Sequence, residues 1–159
     1  MIHIENLHKR FGELEVPEEC IITFVDGLPG FADETQFALF PYEPESAFSI
    51  MQSVKNPDLT FLLADPYRFF NDYMFELEDR MAAEWGFSAD NPPHVYTVAT
   101  MRDTLEQMTV NLLAPIIVNW IKRLGAQLII ENKHYSVQQL LFPEGLKMKP
   151  APKQTGQGG

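Results

Sequence analysis

Apolar residues in this chain come in bursts of about five, each closed by Gly, Pro, Asn or Asp, and no other feature restricts the fold as much. Twelve such bursts are present: 2–7, 14–16, 20–25, 36–40, 48–52, 60–64, 72–77, 95–100, 108–112, 116–120, 127–130 and 137–141. Bursts this short are expected as strands, and the clearest turns between them are Gly27-Leu28-Pro29-Gly30, Asn56-Pro57-Asp58 and Leu124-Gly125. One segment departs from the rhythm. Residues 80–85 contain Met81, Ala82, Ala83 and Glu84, good helix formers, with Asp79 placed to cap the helix and Gly86 to stop it. A second helical turn is expected over 66–71, with Asp65 as cap and Pro66 as its first residue. Residues 102–107 fit a helical turn or a charged hairpin loop equally well, and 88–93 fit a linker. The expectation is mainly β: a single antiparallel domain, β-barrel-like or a sandwich, with one or two short helices. That domain runs over 1–146. From Lys147 the chain has almost nothing to bury, so 147–159 is expected as a flexible tail.

Apolar residues make up 45% and charged residues 21%, an ordinary globular mix that argues against disorder. The longest apolar stretch, 114–121, is interrupted by Pro115 and Asn119 and falls short of a membrane helix. The first residues carry neither a basic nor an apolar leader region, so no secretory signal is expected. The one cysteine, Cys20, has no intramolecular partner, which fits a reducing, cytoplasmic setting. Beside Ile21 and Ile22 it reads as a small buried apolar side chain.

The net charge is −10, and it lies in one half of the chain. Residues 1–80 hold sixteen acids against five bases (Lys9, Arg10, Lys55, Arg68, Arg80), whereas 81–159 hold six against seven. Such a field repels phosphate backbones and attracts basic proteins. It also serves plain solubility.

Sites for chemistry are scarce. His3, His8, His94 and His134 show no metal-ligand spacing, and His3 and His8 have opposite parity on a strand. No nucleophile motif and no phosphate-binding glycine loop occurs, so no catalytic residue, metal or cofactor is expected. Glu76 and Glu78 share a strand face, but with Phe75 and Leu77 between them they read as the wet side of a half-buried strand. The run Tyr67-Arg68-Phe69-Phe70-Asn71-Asp72-Tyr73 is more informative, with four aromatics in seven residues. It suits a core, and its acidic flanks also suit the centre of a protein interface. RNA stacking needs more bases than Arg68.

Several stretches together resemble the FliW family of flagellar assembly factors. They are Phe24-Val25-Asp26-Gly27-Leu28-Pro29-Gly30-Phe31, then Met51-Gln52-Ser53, 61–66 and Asp72-Tyr73. The last is Thr109-Val110-Asn111-Leu112-Leu113-Ala114-Pro115-Ile116-Ile117-Val118-Asn119, followed by Gly125-Ala126-Gln127 and Tyr135. Met51 stands where the family carries leucine, and the tail is longer than the family domain needs. The resemblance, over about residues 10–142, implies a compact antiparallel β-barrel-like domain without enzymatic activity. It also implies two protein partners: flagellin, held chaperone-like before export, and CsrA, a basic RNA-binding repressor of flagellin synthesis, the two exchanging on one protein. The acidic half suits a basic repressor, but the partners come from the resemblance alone.

For partner contact the residues singled out are Asp65, Phe69, Phe70, Asp72, Tyr73 and Glu76, the aromatics giving area and the acids steering a basic partner. Asn111, Asn119 and Gln127, amides in apolar strands, are expected as structural hydrogen-bonding groups. Two other classes remain open: a small-molecule-binding β-barrel with an open interior, and an enzyme assembled from distant acids.

Overall fold

A computed structural model describes the backbone of residues 2–8 and 12–143, and the side chains from Val16 onward. The expected tail, 147–159, lies outside the described residues, as does the end of the expected domain.

Strands β1 (Ile2–His8) and β2 (Gly12–Val16) form an antiparallel hairpin with Ile2 opposite Val16. Then comes β3 (Ile21–Thr23), followed by β4 (Gln36–Pro41), β5 (Phe48–Ser53) and β6 (Thr60–Ala64), these three each antiparallel to the strand before. A long excursion carrying helix α1 (Asp79–Trp85) leads to β7 (His94–Thr100), which pairs back onto β6. The short β8 (Thr109–Val110) lies beside the end of β7. After it, β9 (Ile116–Asn119) and β10 (Leu124–Gln127) form a hairpin, and β11 (Gln139–Leu140) pairs with β8.

Two contacts close the sheet. β9 pairs with the first half of β7, Val95 opposite Ile117, and β10 meets β3 at Leu124 and Thr23. The result is a seven-stranded barrel of β3, β4, β5, β6, β7, β9 and β10, with β8 and β11 continuing off β7. The β3–β10 pairing is parallel, the one exception to the antiparallel expectation among the described strands.

Ile22, Phe24, Phe37, Leu39, Met51, Leu63, Ile116 and Val118 fill the interior, with Phe24 edge-on to Phe37 at 5.6 Å. An edge-on pair adds about 0.5–1.5 kcal/mol beyond the area it buries. The outer wall is apolar too. Ala64, Ala99, Met108 and Val110 pack under Tyr73, Leu112 and Leu141, while Ala38 and Ile21 pack under Val16. Covering on both faces explains the sequence pattern: β9 is buried at all four positions, so it reads as a burst and not as an alternation.

The element boundaries depart from expectation in several places. Residues 72–77 form no strand. Their side chains do alternate between half-buried Phe75 and Leu77 and exposed Met74, Glu76 and Glu78, but the backbone belongs to no ladder. The expected turn at Leu124-Gly125 is instead the start of β10, and the chain reverses over 120–123 with Arg123 at φ 57°. Asn119 makes that reversal, its Oδ1 accepting from the N–H groups of Ile121 at 3.0 Å and Lys122 at 3.1 Å. Beyond Gln127 the strand expected to Ile130 persists only as single bonds, Leu128 N–H to Pro115 O and Ile130 N–H to Leu113 O.

Cys20 ends a 3-10 turn, Glu18–Cys20, rather than opening a strand. It is half-buried, and burial followed by the nearby Glu19 pushes its thiol pKa up, against thiolate chemistry. Helix α1 begins at Asp79, one residue before expectation, with Glu78 at the cap position making no side-chain cap bond. Its C-terminus closes as expected at Gly86, where Gly86 N–H reaches Ala83 O and Phe87 N–H reaches Ala82 O. Asp65 caps the 3-10 turn Pro66–Arg68 as expected, accepting from Tyr67 N–H at 3.0 Å. Residues 102–107 contain one helical turn, Leu105–Gln107.

Candidate functional site

Between β6 and α1 the chain crosses the outside of the barrel as a strap, residues 65–78. It joins no ladder there, and side chains pin it. Tyr73 is 3% exposed and donates its hydroxyl to the Leu112 carbonyl at 2.8 Å. The Tyr135 hydroxyl accepts from Met74 N–H at 2.9 Å, and the Tyr73 and Tyr135 rings lie 4.9 Å apart. Phe69 packs between Phe48 of β5, at 5.7 Å, and Phe142, edge-on at 5.9 Å. Tyr67 closes over Tyr73 at 5.8 Å.

Of the six residues singled out, the strap gathers all on one short segment but gives them different exposures. Asp65 is half-buried and used as a cap, Phe69 and Phe70 are half-buried, and Tyr73 is core. Asp72 and Glu76 face solvent. Beside them stand Tyr67, 42% exposed, which belongs to the aromatic run noted in the sequence but not to the six, and Met74, 69% exposed, which the sequence reading passed over. The signal for Met74 was parity, since it lies between inward Tyr73 and inward Phe75.

Burial, and then the neighbouring Tyr67 and Tyr135, push the Tyr73 phenol well above the ordinary value of 10.0. The folded state therefore holds this proton more tightly than the unfolded chain. The stabilisation is complete below pH 10 and is lost as pH rises past it. Tyr73→Phe is expected to cost about 1 kcal/mol near neutral pH in urea unfolding, through the lost hydrogen bond. It should also flatten the decline in stability above pH 10. An alkaline slope identical to that of the unsubstituted chain would count against this role.

The amides behave as structural groups. Asn111 accepts from Leu113 N–H at 3.0 Å, and Gln127 donates to Ala114 O at 3.0 Å. Asn119, fully buried, donates to Trp85 O at 2.8 Å and accepts from Asn91 Nδ2 at 3.2 Å in addition to its turn bonds. Among the described residues, no three His, Cys, Asp or Glu side chains are grouped to hold a metal ion, and no helix is long and apolar enough to cross a membrane.

The model of the family described as "FliW protein" matches residues 6–141, most of the chain. The chain belongs to the FliW family. Among relatives, the flagellar assembly factor FliW of Desulfitobacterium hafniense (strain DSM 10664 / DCB-2) is 48% identical over 135 residues, 85% of this chain and 89% of that protein. The flagellar assembly factor FliW of Heliobacterium modesticaldum is 36% identical over 151 residues, 95% of this chain and 96% of the relative. A crystal structure of the flagellar assembly factor FliW superposes with a TM-score of 0.75 at 35% identity, covering 89% of this chain and 96% of that one. The stretch Leu28-Pro29-Gly30-Phe31, one of those on which the resemblance rested, is a tight turn, with Phe31 N–H donating to Leu28 O at 2.7 Å and Gly30 at φ 84°.

Proposed function

We propose that this FliW family member is a cytoplasmic flagellar assembly factor that acts by holding proteins, not by catalysis. Its partners are flagellin and the basic regulator CsrA, held in exchange, and the strap is a contact surface. The observation that carries the strap's part is its layering. Asp72 and Glu76 face solvent beside exposed Tyr67 and Met74, over aromatic rings locked to the barrel. Rigid aromatic support with apolar surface in the middle and acids around it is how a protein-binding surface for a basic partner is built. The barrel interior, filled by Phe24, Phe37, Met51 and their neighbours, favours this over the ligand-barrel reading.

The test is a titration of the full chain with purified flagellin, a second with CsrA, and a competition between them. Displacement of one by the other supports the exchange, and a well-folded chain that binds neither overturns the reading. For the strap, the pair Asp72→Lys and Glu76→Lys is expected to slow association with CsrA about tenfold at low salt and to flatten its salt dependence. Stopped-flow rates unchanged across a salt series would remove the strap from the interface.

A further inference from the structure

The barrel closes unevenly along the seam between β3 and β10. The two strands meet at the Leu124–Thr23 pair, where Thr23 N–H donates to Arg123 O at 2.9 Å. One residue on, the Phe24 ring stands against Gly125, close enough that an added Cβ would lie 2.7 Å from it. There the seam ends. β3 gives way to the turn at 27–31, while β10 runs on to Gln127 and the chain beyond it. The hydrogen bonds fix which way each backbone group points along that run. Leu124 and Ala126 lie opposite Asn119 and Ile117, Leu128 N–H reaches Pro115 O, and Ile130 N–H reaches Leu113 O. Even-numbered residues therefore turn their N–H and C=O toward 113–119, and odd-numbered ones turn theirs away. The outward carbonyl of Arg123 is the one that meets β3. Those of Gln127 and Ile129, and their N–H groups, meet no partner among the described residues. Ile129 is 71% exposed, so this stretch is an open sheet edge at the surface.

The edge borders the mouth of the barrel. A pocket of about 300 Å³ there is lined by Gln127 together with Leu28, Phe31, Phe61, Val98 and Arg102. That is the small end of the range for ligand pockets, and it suits a side chain or two. Arg102 is the only charged residue lining it, and it makes no hydrogen bond or ion pair with another described residue. Backbone donors and acceptors that repeat every second residue are matched best by another extended backbone. We propose that the edge at Gln127 and Ile129 accepts an extended segment of a partner protein as an added strand, with an apolar side chain of that segment in the mouth and a carboxylate beside Arg102. Main-chain bonds hold the segment, and the mouth and Arg102 select its side chains. The preference for a carboxylate separates this surface from the strap, whose acids suit a basic partner. The inference stands on this edge and does not depend on which proteins the chain holds.

The first test is amide exchange on the full chain by nuclear magnetic resonance. In the free chain, Gln127 and Ile129 should exchange at least about tenfold faster than Leu128 and Ile130, whose N–H groups are bonded. The probes are fluorescein-labelled peptides of about seven residues, alternating valine and threonine and ending in glutamate in one and lysine in the other. The glutamate peptide is expected to slow exchange at Gln127 and Ile129 about tenfold or more, and at Leu128 and Ile130 under about twofold. Fluorescence anisotropy should show it binding about fivefold tighter than the lysine peptide, a preference that Arg102→Gln removes. Ile129→Pro deletes an N–H that has no partner among the described residues, so circular dichroism should be unchanged while peptide binding falls at least about tenfold. Ile129→Ala, which keeps the N–H, should hold binding within about twofold. Binding of neither peptide, equal binding of both, protection without alternation, or full binding by Ile129→Pro overturns the proposal. So does protection of Gln127 and Ile129 that grows with the concentration of the free chain, because the edge then pairs with a second copy.

Discussion

Asn119→Ala is expected to lower the midpoint of thermal unfolding by roughly 10 °C, at a cost of some 3 kcal/mol. The side chain is fully buried and serves four groups at once. It holds the reversal between β9 and β10, satisfies the last carbonyl of α1 at Trp85, and ties in Asn91. Alanine leaves all four without this partner. The Lys122 and Ile121 N–H groups belong to exposed residues and can turn to water, but the Trp85 carbonyl lies against the cavity left behind. Asn119→Asp keeps an acceptor for the turn and sets a carboxylate oxygen against the Trp85 carbonyl, so its loss should be intermediate. Differential scanning calorimetry decides between these, and a fall of under about 2 °C for alanine would mean that water replaces the whole network.

Gly27→Ala should be nearly as damaging, and Gly30→Ala should not be, although the two glycines flank the same motif. Both have positive φ, 67° and 84°. A left-handed backbone costs a non-glycine residue about 1 kcal/mol or somewhat more. At Gly30 that is all, for a Cβ there meets nothing within 4 Å. At Gly27 a Cβ falls 2.6 Å from the Ala32 carbonyl oxygen and 2.7 Å from that of Phe31, backbone atoms that cannot step aside as a flexible side chain can. The expected losses in urea unfolding are about 1 kcal/mol for Gly30→Ala and about 3 kcal/mol or more for Gly27→Ala. Equal losses would show that the turn relaxes as a unit and that the contact with residues 31 and 32 is not rigid.

These positions mark how far sequence reading reaches. The turn read over Gly27-Leu28-Pro29-Gly30 was legible, one residue short of its closure at Phe31, because proline and glycine impose their own backbone angles whatever surrounds them. The Asp65 cap on the Pro66–Arg68 turn was legible for the same local reason. The reversal at 120–123 was not. Its signal is a single asparagine at the end of an apolar burst, and Gly125 two residues beyond the reversal looked the better turn residue. Residues 72–77 misled in the opposite direction. Their alternation reports correctly which side chains face the barrel, but alternation follows burial and not pairing, and here tyrosine hydroxyls replace the ladder. Tyr73, chosen from sequence as contact area, is placed in the core, where it supports the exposed Asp72, Met74 and Glu76 from beneath.

What the sequence determined alone was local: twelve bursts of strand-like residues, their turns, one short helix and an acidic first half. Those properties depend on neighbours along the chain, and they lead to a mainly β domain. The tertiary structure decided what depends on neighbours in space. It closed seven strands through the β7–β9 and β3–β10 pairings, sent the aromatic run over the wall as a strap, and lined Phe40, Ile50, Leu62 and Ala99 into one row. The physical reason lies in strand register. A shift of one residue turns every side chain to the other face, so which apolar residues become interior and which become outer wall is fixed only when the strands pair.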